Sequence, residues 1–339
     1  MDGTVRRPVW VVVAAALCAG TLVVTASQAT AGSPFKSAVT EAAKLTRLRS
    51  LLISVDGTIV EERYFRGATA ARAANIKSAS KSIIAMLVGI AIDRKQIPSV
   101  ETPISTYFPE HLKGQPDKGA ITIADLLTMR SGLETTSNRN YGRWVQSPNW
   151  VRHVLQRPMV DEPGGRMIYS TGTSHLLSAI LTKVSGTSTL EYARRHLATP
   201  LGINLGAWVR DPQGIYLGGN EMHLLPRDMV KIGELYLNDG RRGDRQIISA
   251  AWVRESIRPR TASEWSGREY GYGWWIRTLG GQRVFYAWGY GGQFIFVVPD
   301  LRTIVVTTSV VEAGSERREH LGGIYDLVAQ HVIPAVAPR

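Results

Sequence analysis

The stretch Ser78-Ala79-Ser80-Lys81-Ser82-Ile83-Ile84-Ala85-Met86-Leu87-Val88-Gly89-Ile90-Ala91-Ile92-Asp93 decides how the chain is read. Its first turn is small and polar, and after Ser82 it is apolar on nearly every face. That is the pattern of a helix buried all round, not of one lying on a surface. Ser78 and Lys81 stand three apart, so on a helix they share a face. A serine hydroxyl is a weak nucleophile until a neighbouring base takes its proton. A lysine buried among apolar groups is pushed towards the neutral form that can be that base. The open end of a helix adds unpaired N–H groups and a dipole that favours negative charge. Ser78 is therefore a candidate acyl-enzyme nucleophile activated by Lys81. The bland alternative is a serine capping a helix beside a solvated lysine. Spacing alone does not choose, since about one Ser-x-x-Lys is expected by chance in a chain of this size. Ser33-Pro34-Phe35-Lys36 is such a second copy, with no apolar helix behind it.

The chain has 339 residues, 44% of them hydrophobic, with a net charge of +12. This is ordinary globular composition with ample length for a core. Its 40 basic residues are spread along the chain with no block interleaved with aromatics, which speaks against nucleic-acid binding. A basic surface would suit an anionic cell envelope. Arg6 and Arg7 precede an apolar run from Val9 to Val24, and Ala29-Thr30-Ala31 follows as a cleavage signal. Residues 1–31 are accordingly expected to be a secretory signal, with an uncleaved anchor as the alternative. The expected location is secreted or extracytoplasmic. The one cysteine, Cys18, lies in that run behind Leu17, not behind the small residue a lipoprotein would place there. A mature chain would hold no cysteine, which excludes disulfides, thiolate metal sites and a thiol nucleophile.

Leu51 to Val55, Asp56-Gly57 and Thr58 to Tyr64 read as a β-hairpin. Residues 98–260 read as mostly helical, including Thr122 to Met129, Thr171 to Val184 and Pro226 to Leu237. A short extended piece, Arg166 to Tyr169, precedes the second of these. Strands return at Tyr272 to Ile276, Arg283 to Trp288, Gln293 to Val298 and Thr303 to Ser309, and a last helix runs from Gly322 to Val332. Strands at both ends with helices between predict an α+β fold. In it, one antiparallel sheet is flanked by the N- and C-terminal helices and a mostly helical lobe is inserted. The expected sheet lobe is about 32–77 and 262–339, and the helical lobe about 78–261.

Three segments now occur in a telling order: Ser78-Ala79-Ser80-Lys81-Ser82, Tyr169-Ser170-Thr171, and Ala287-Trp288-Gly289-Tyr290-Gly291-Gly292-Gln293. In order and spacing they resemble the serine β-lactamase and penicillin-binding-protein superfamily, whose first motif is Ser-x-x-Lys opening a helix. The chain resembles the class C β-lactamase-like serine hydrolases, and most of all the branch holding 6-aminohexanoate-dimer hydrolase. The resemblance covers almost all of residues 45–335, including Ser131-Gly132-Leu133, Gly218-Gly219-Asn220-Glu221-Met222 and Tyr270-Gly271-Tyr272-Gly273-Trp274-Trp275.

The resemblance implies that Ser78 attacks a carbonyl and Lys81 accepts its proton. Tyr169 would act with Lys81 and then protonate the leaving group, a proton that must be delivered in place. The N–H groups of Ser78 and Tyr290 would form an oxyanion hole. Asn220 would line the substrate cleft, or merely serve a turn. Thr171 is expected as a helix cap or as a substrate contact. Ala287-Trp288-Gly289 stands where relatives carry Lys-Thr-Gly, so the lysine beside the substrate carboxylate is missing, while Gly289 still permits close approach to the strand. Trp288 and Gly289 are candidate substrate contacts. Tyr141, Trp144 and Trp150 are read as cleft wall or core.

The expected activity is that of a serine hydrolase cleaving a small amide or ester through an acyl-enzyme. A β-lactamase or D,D-carboxypeptidase is the alternative within the same chemistry, and a silent penicillin or cell-wall sensor the alternative outside it. No Gly-x-Ser-x-Gly elbow and no His-Glu-x-x-His pair is present, so neither a Ser-His-Asp nor a zinc hydrolase is favoured. No cofactor and no metal are expected. Substrate identity and oligomeric state are not legible in the sequence.

Overall fold

Asp56 and Gly57 both take positive φ, +48° and +77°, as a two-residue hairpin turn demands. They join β1 (Leu48–Val55) to β2 (Thr58–Tyr64). The computed structural model describes residues 1–3 and 33–337. The expected signal segment, with Cys18 and Ala29-Thr30-Ala31, falls outside the described residues but for its first three. The chain divides into Met1–Ser33 and Pro34–Arg339, and the architecture is that of the second unit.

The remaining strands are β3 (Ala74–Asn75), β4 (His223–Leu224), β5 (Arg241–Arg242), β6 (Arg245–Gln246), β7 (Thr261–Ala262), β8 (Glu269–Tyr270), β9 (Trp275–Leu279), β10 (Gln282–Gly289), β11 (Gln293–Val298) and β12 (Thr303–Ser309). Six of them join β1 and β2 in one eight-stranded antiparallel sheet in the order β2-β1-β12-β11-β10-β9-β8-β7. The N-terminal hairpin therefore completes a sheet made mostly from the far end of the chain. β1 lies along β12 from Leu48 opposite Ser309 to Val55 opposite Thr303.

The sheet is buried on both faces, and the period of two in its strands sorts the residues. Val284, Tyr286, Phe294, Phe296 and Val305 pack under the terminal helices Lys36–Lys44 and Arg317–Asp326, with Ala38, Ala42, Ile324 and Val328 facing them. Phe285, Ala287, Ile295, Val297, Ile304 and Val306 face the helical region. The helix Pro226–Leu237 falls within the expected helical lobe but packs directly on the sheet, where a Cβ on Gly233 would lie 2.9 Å from the Ile304 side chain. The α+β fold, an antiparallel sheet with terminal helices and an inserted helical lobe, is as the sequence indicates.

The helix of the opening stretch runs Ser80–Asp93, preceded by a 3-10 turn at Lys77–Ala79. Every residue from Ser80 to Ala91 is buried. Gly89 lets it seat against Trp252, whose ring atoms would lie 2.5 Å from an added Cβ. Two expected elements differ. The piece Arg166 to Tyr169 pairs with no strand, and the segment Tyr272 to Ile276 is split, with Gly273 at φ +78° turning the chain into β9. A Cβ on Gly273 would lie 2.8 Å from Ala85, so the turn rests on the central helix. Among the described residues no helix is long and apolar enough to cross a membrane.

Candidate active site

Ser78 sits in the 3-10 turn that feeds the buried helix, and its hydroxyl caps nothing. Its neighbour Ser80 is engaged with the turn itself, its Oγ donating to the Lys77 carbonyl at 2.6 Å. Ser78 Oγ instead accepts from Lys81 Nζ at 3.1 Å. The two residues thus share a face as their spacing requires.

Lys81 is 4% exposed. Its Nζ also donates to the Gly219 carbonyl at 2.7 Å and to Thr171 Oγ1 at 3.4 Å, and it lies 4.9 Å from the centre of the Tyr169 ring. All three hydrogen-bond partners are neutral. With no carboxylate to hold its proton, burial pulls the amine from 10.5 down to about 7, because desolvation penalises the charged form.

Tyr169 is half-buried, with its ring stacked against Trp275 at 6.1 Å between centroids. Burial pushes its phenol up to about 12, while a hydrogen bond with Ser78 acts in the opposite direction. The structure therefore brings the hydroxyl, the amine and the phenol together. Segments 88 residues and more apart in the chain converge here because the helix Thr171–Ser185 packs on the Ser80–Asp93 helix. 

Thr171 is not the cap of its helix; Ser170 occupies that position. Thr171 is the first helical residue, and its Oγ1 lies 3.0 Å from Ser137 Oγ as well as beside Lys81. Ser137 Oγ in turn accepts from the Thr171 N–H at 2.8 Å. Ser137 is a site residue that the sequence reading missed, since nothing in Ser137-Asn138-Arg139 distinguishes it from a loop serine.

The loop Gly218–Glu221 supplies the carbonyl that holds Lys81. Its glycines are required by packing: a Cβ on Gly218 would fall 2.2 Å from the Ser174 carbonyl oxygen, and one on Gly219 3.0 Å from Thr171 Cγ2. The loop is pinned by His175, whose Nδ1 accepts from the Gly218 N–H at 3.4 Å and whose Nε2 pairs with Asp211 at 3.0 Å. Asn220 donates to the Tyr141 hydroxyl at 3.2 Å, and its own Oδ1 is buried without a protein partner. Trp144 and Trp150 are core residues packed on His175, and of the three aromatics only Tyr141 reaches the loop.

Two residues before the site are held in left-handed backbone, Lys77 at φ +49° and Glu221 at φ +66°. Such positions persist only where the surroundings fix them. The Lys77 ammonium pairs with Glu221 at 2.8 Å, Asn75 donates to the same carboxylate at 2.5 Å, and Asn75 Oδ1 accepts from the Lys77 N–H at 3.0 Å. This clasp, absent from the sequence reading, ties the Ser78 turn to the Gly218–Glu221 loop.

On the strand side Gly289 ends β10 against the segment leading to Ser78. A Cβ there would fall 2.0 Å from the Ile76 carbonyl oxygen, so only glycine permits the approach. The next N–H, that of Tyr290, opens the turn to Gly291 and Gly292, and the Tyr290 ring is exposed under the Arg317 guanidinium at 4.7 Å. Trp288 is half-buried and meets Trp275 edge-to-face at 5.7 Å, and its Nε1 is buried without a partner among the described residues. The Arg268 guanidinium lies 5.7 Å from its ring.

A half-buried serine and a buried lysine at the start of a helix, backed by a tyrosine and by the glycine-ended strand β10, are set on a β-lactamase/transpeptidase-like fold. The chain belongs to the Beta-lactamase family, which it matches over residues 49–329. Among solved structures it is similar to a Bacillus anthracis protein assigned as a 6-aminohexanoate-dimer hydrolase, at 21% identity over 87% of this chain and 82% of that one, with a TM-score of 0.74. It is similar to the penicillin-binding protein of Bacillus halodurans at 17% identity, 86% and 98% coverage and a TM-score of 0.69. It is also similar to EstCE1, a hydrolase with promiscuous acyltransferase activity, at 18% identity, 89% and 96% coverage and a TM-score of 0.68. At these identities the likeness is one of fold.

Proposed function

We propose that the protein is a serine hydrolase that cleaves a small amide or ester through an acyl-enzyme on Ser78. One observation carries the reading: Lys81 Nζ stands 3.1 Å from Ser78 Oγ, buried among neutral partners, with its affinity for a proton lowered to about 7. A base poised near the working pH is what proton transfer from an alcohol requires. In this reading the neutral amine takes the Ser78 proton as Oγ attacks the carbonyl carbon. The developing oxyanion is met by the N–H groups of Ser78 and Tyr290. As the tetrahedral intermediate collapses, the proton is delivered to the leaving nitrogen or oxygen by Tyr169, whose phenol stays protonated through neutral pH, and Lys81 restores it. Water then repeats the sequence on the acyl-enzyme. Asn220, Thr171, Trp288 and Gly289 line the substrate side.

The absence of a lysine at Ala287 favours ester or linear amide over β-lactam as substrate. In the same reading the protein acts outside the cytoplasm, exported by residues 1–31. The test is a panel of a chromogenic ester, a cephalosporin and a linear amide dimer, run on the wild type and Ser78→Ala. Turnover of ester or amide without cephalosporin, lost in Ser78→Ala, supports the reading. Turnover that survives in Ser78→Ala places the nucleophile elsewhere, and stoichiometric acylation without turnover indicates a sensor.

A further inference from the structure

A second cavity, of about 450 Å³, opens beside the clasp, between β1, the loop after β2 and the end of β12. Its volume is within the range of small-molecule sites. Arg49, Arg66 and Arg72 line it against the carboxylate of Glu312 alone among its lining residues. Arg66 spends its guanidinium on the carbonyls of Ala43 and Leu48 at 2.8 and 3.4 Å, which leaves its charge unneutralised. Arg49 is half-buried and its Nη1 is buried with no hydrogen-bond partner. Among the described residues neither Arg49 nor Arg72 is ion-paired. A buried guanidinium donor without an acceptor is costly, and a guanidinium fork is suited to a carboxylate.

Asn75 lines the same cavity and is also part of the clasp that holds the Ser78 turn. It stands three positions before Ser78, so their Cα atoms are at most about 11 Å apart.

We propose that this cavity binds a carboxylate, and that the carboxylate is the free end of the acyl substrate whose other end reaches Ser78. The assignment rests on the hydrolase reading and names its substrate class, an acyl group with an acidic terminus. Arg49, Arg66 and Arg72 supply its positive charge.

The test has two arms. In the first, binding of adipate and of inorganic phosphate to full-length Ser78→Ala is measured by calorimetry, with and without Arg49→Gln or Arg72→Gln. In the second, kcat/KM is compared for p-nitrophenyl hydrogen adipate and p-nitrophenyl butyrate. Saturable adipate binding that weakens at least tenfold in either arginine variant is expected. The adipate-to-butyrate ratio is expected to exceed one and to fall at least tenfold in both variants, chiefly through KM. Because Arg72 is exposed and makes no side-chain hydrogen bond or ion pair among the described residues, Arg72→Gln tests the site even if Arg49→Gln fails to fold. No adipate binding, binding indifferent to both variants, a ratio near one, or binding of phosphate alone overturns the proposal. If neither ester is turned over the hydrolase reading fails, and the calorimetric arm still decides whether the cavity takes a carboxylate.

Discussion

Titrating Lys81 is the sharpest perturbation of the proposed chemistry. Its surroundings lower it from 10.5 to about 7 by burial, with no charged partner acting against that shift. The displacement is worth about 5 kcal/mol of preference for the neutral amine. At pH 7 about half of the population then carries a free base, against roughly three in ten thousand for a solvated lysine. Tyr169, pushed up to about 12, does not titrate across the accessible range. The expected profile of kcat/KM for a neutral ester rises about tenfold between pH 6 and pH 8 and is level above it. Lys81→Arg, which stays charged, should lose about 10²–10⁴-fold at every pH. A profile that climbs tenfold per pH unit to pH 10 would mean that the amine is solvated. A profile unchanged in Lys81→Arg would remove the lysine from the mechanism altogether.

Other outcomes follow from the same contacts. The native Lys81 has a lowered proton affinity, so between about pH 7 and 10.5 the unfolded chain binds the extra proton and stability rises with pH. Denaturant titrations should therefore show wild type losing stability relative to Lys81→Met as pH falls from 10 to 7, and no further loss below that. Tyr169→Phe keeps the stack on Trp275 but removes the phenol at Ser78, and a loss of about 10²–10⁴-fold in kcat is expected with the melting temperature nearly unchanged. Gly289→Ala must move the end of β10 off the Ile76 carbonyl, at a cost of about 1–3 kcal/mol in stability. Because that strand end faces the Ser78 turn, kcat should fall too, and a variant with normal melting and normal kcat would show that the close approach is dispensable.

The sheet was legible because its strands carry their own signals. Asp-Gly between β-branched runs fixes a hairpin, and Gln293 to Val298 and Thr303 to Ser309 are bounded by Gly-Gly and Pro-Asp punctuation. The central helix was legible because it is apolar all round, and the serine and lysine because helical spacing is local geometry. What was not legible depends on segments that meet only in the fold. Ser137 is a loop serine until Thr171 packs on it. The clasp of Asn75, Lys77 and Glu221 joins residues up to 146 apart in sequence. The sequence offers Thr171 as a helix cap or a substrate contact, yet it is Ser170, one residue earlier, that holds the extended backbone a cap needs. Nothing in the sequence sets His175 apart from any other polar residue of a helix. Its role in holding the Gly218 loop appears only once Asp211 and Trp144 are packed around it.

The measurement nearest the central claim is covalent trapping. The full-length protein is treated with a fluorophosphonate probe, digested, and the adduct mapped by mass spectrometry. One adduct per chain on Ser78, slowed as pH falls below 7 and absent from Lys81→Arg, is the expected result. Labelling of any other residue, or a folded protein that takes no label while still hydrolysing ester, would contradict it.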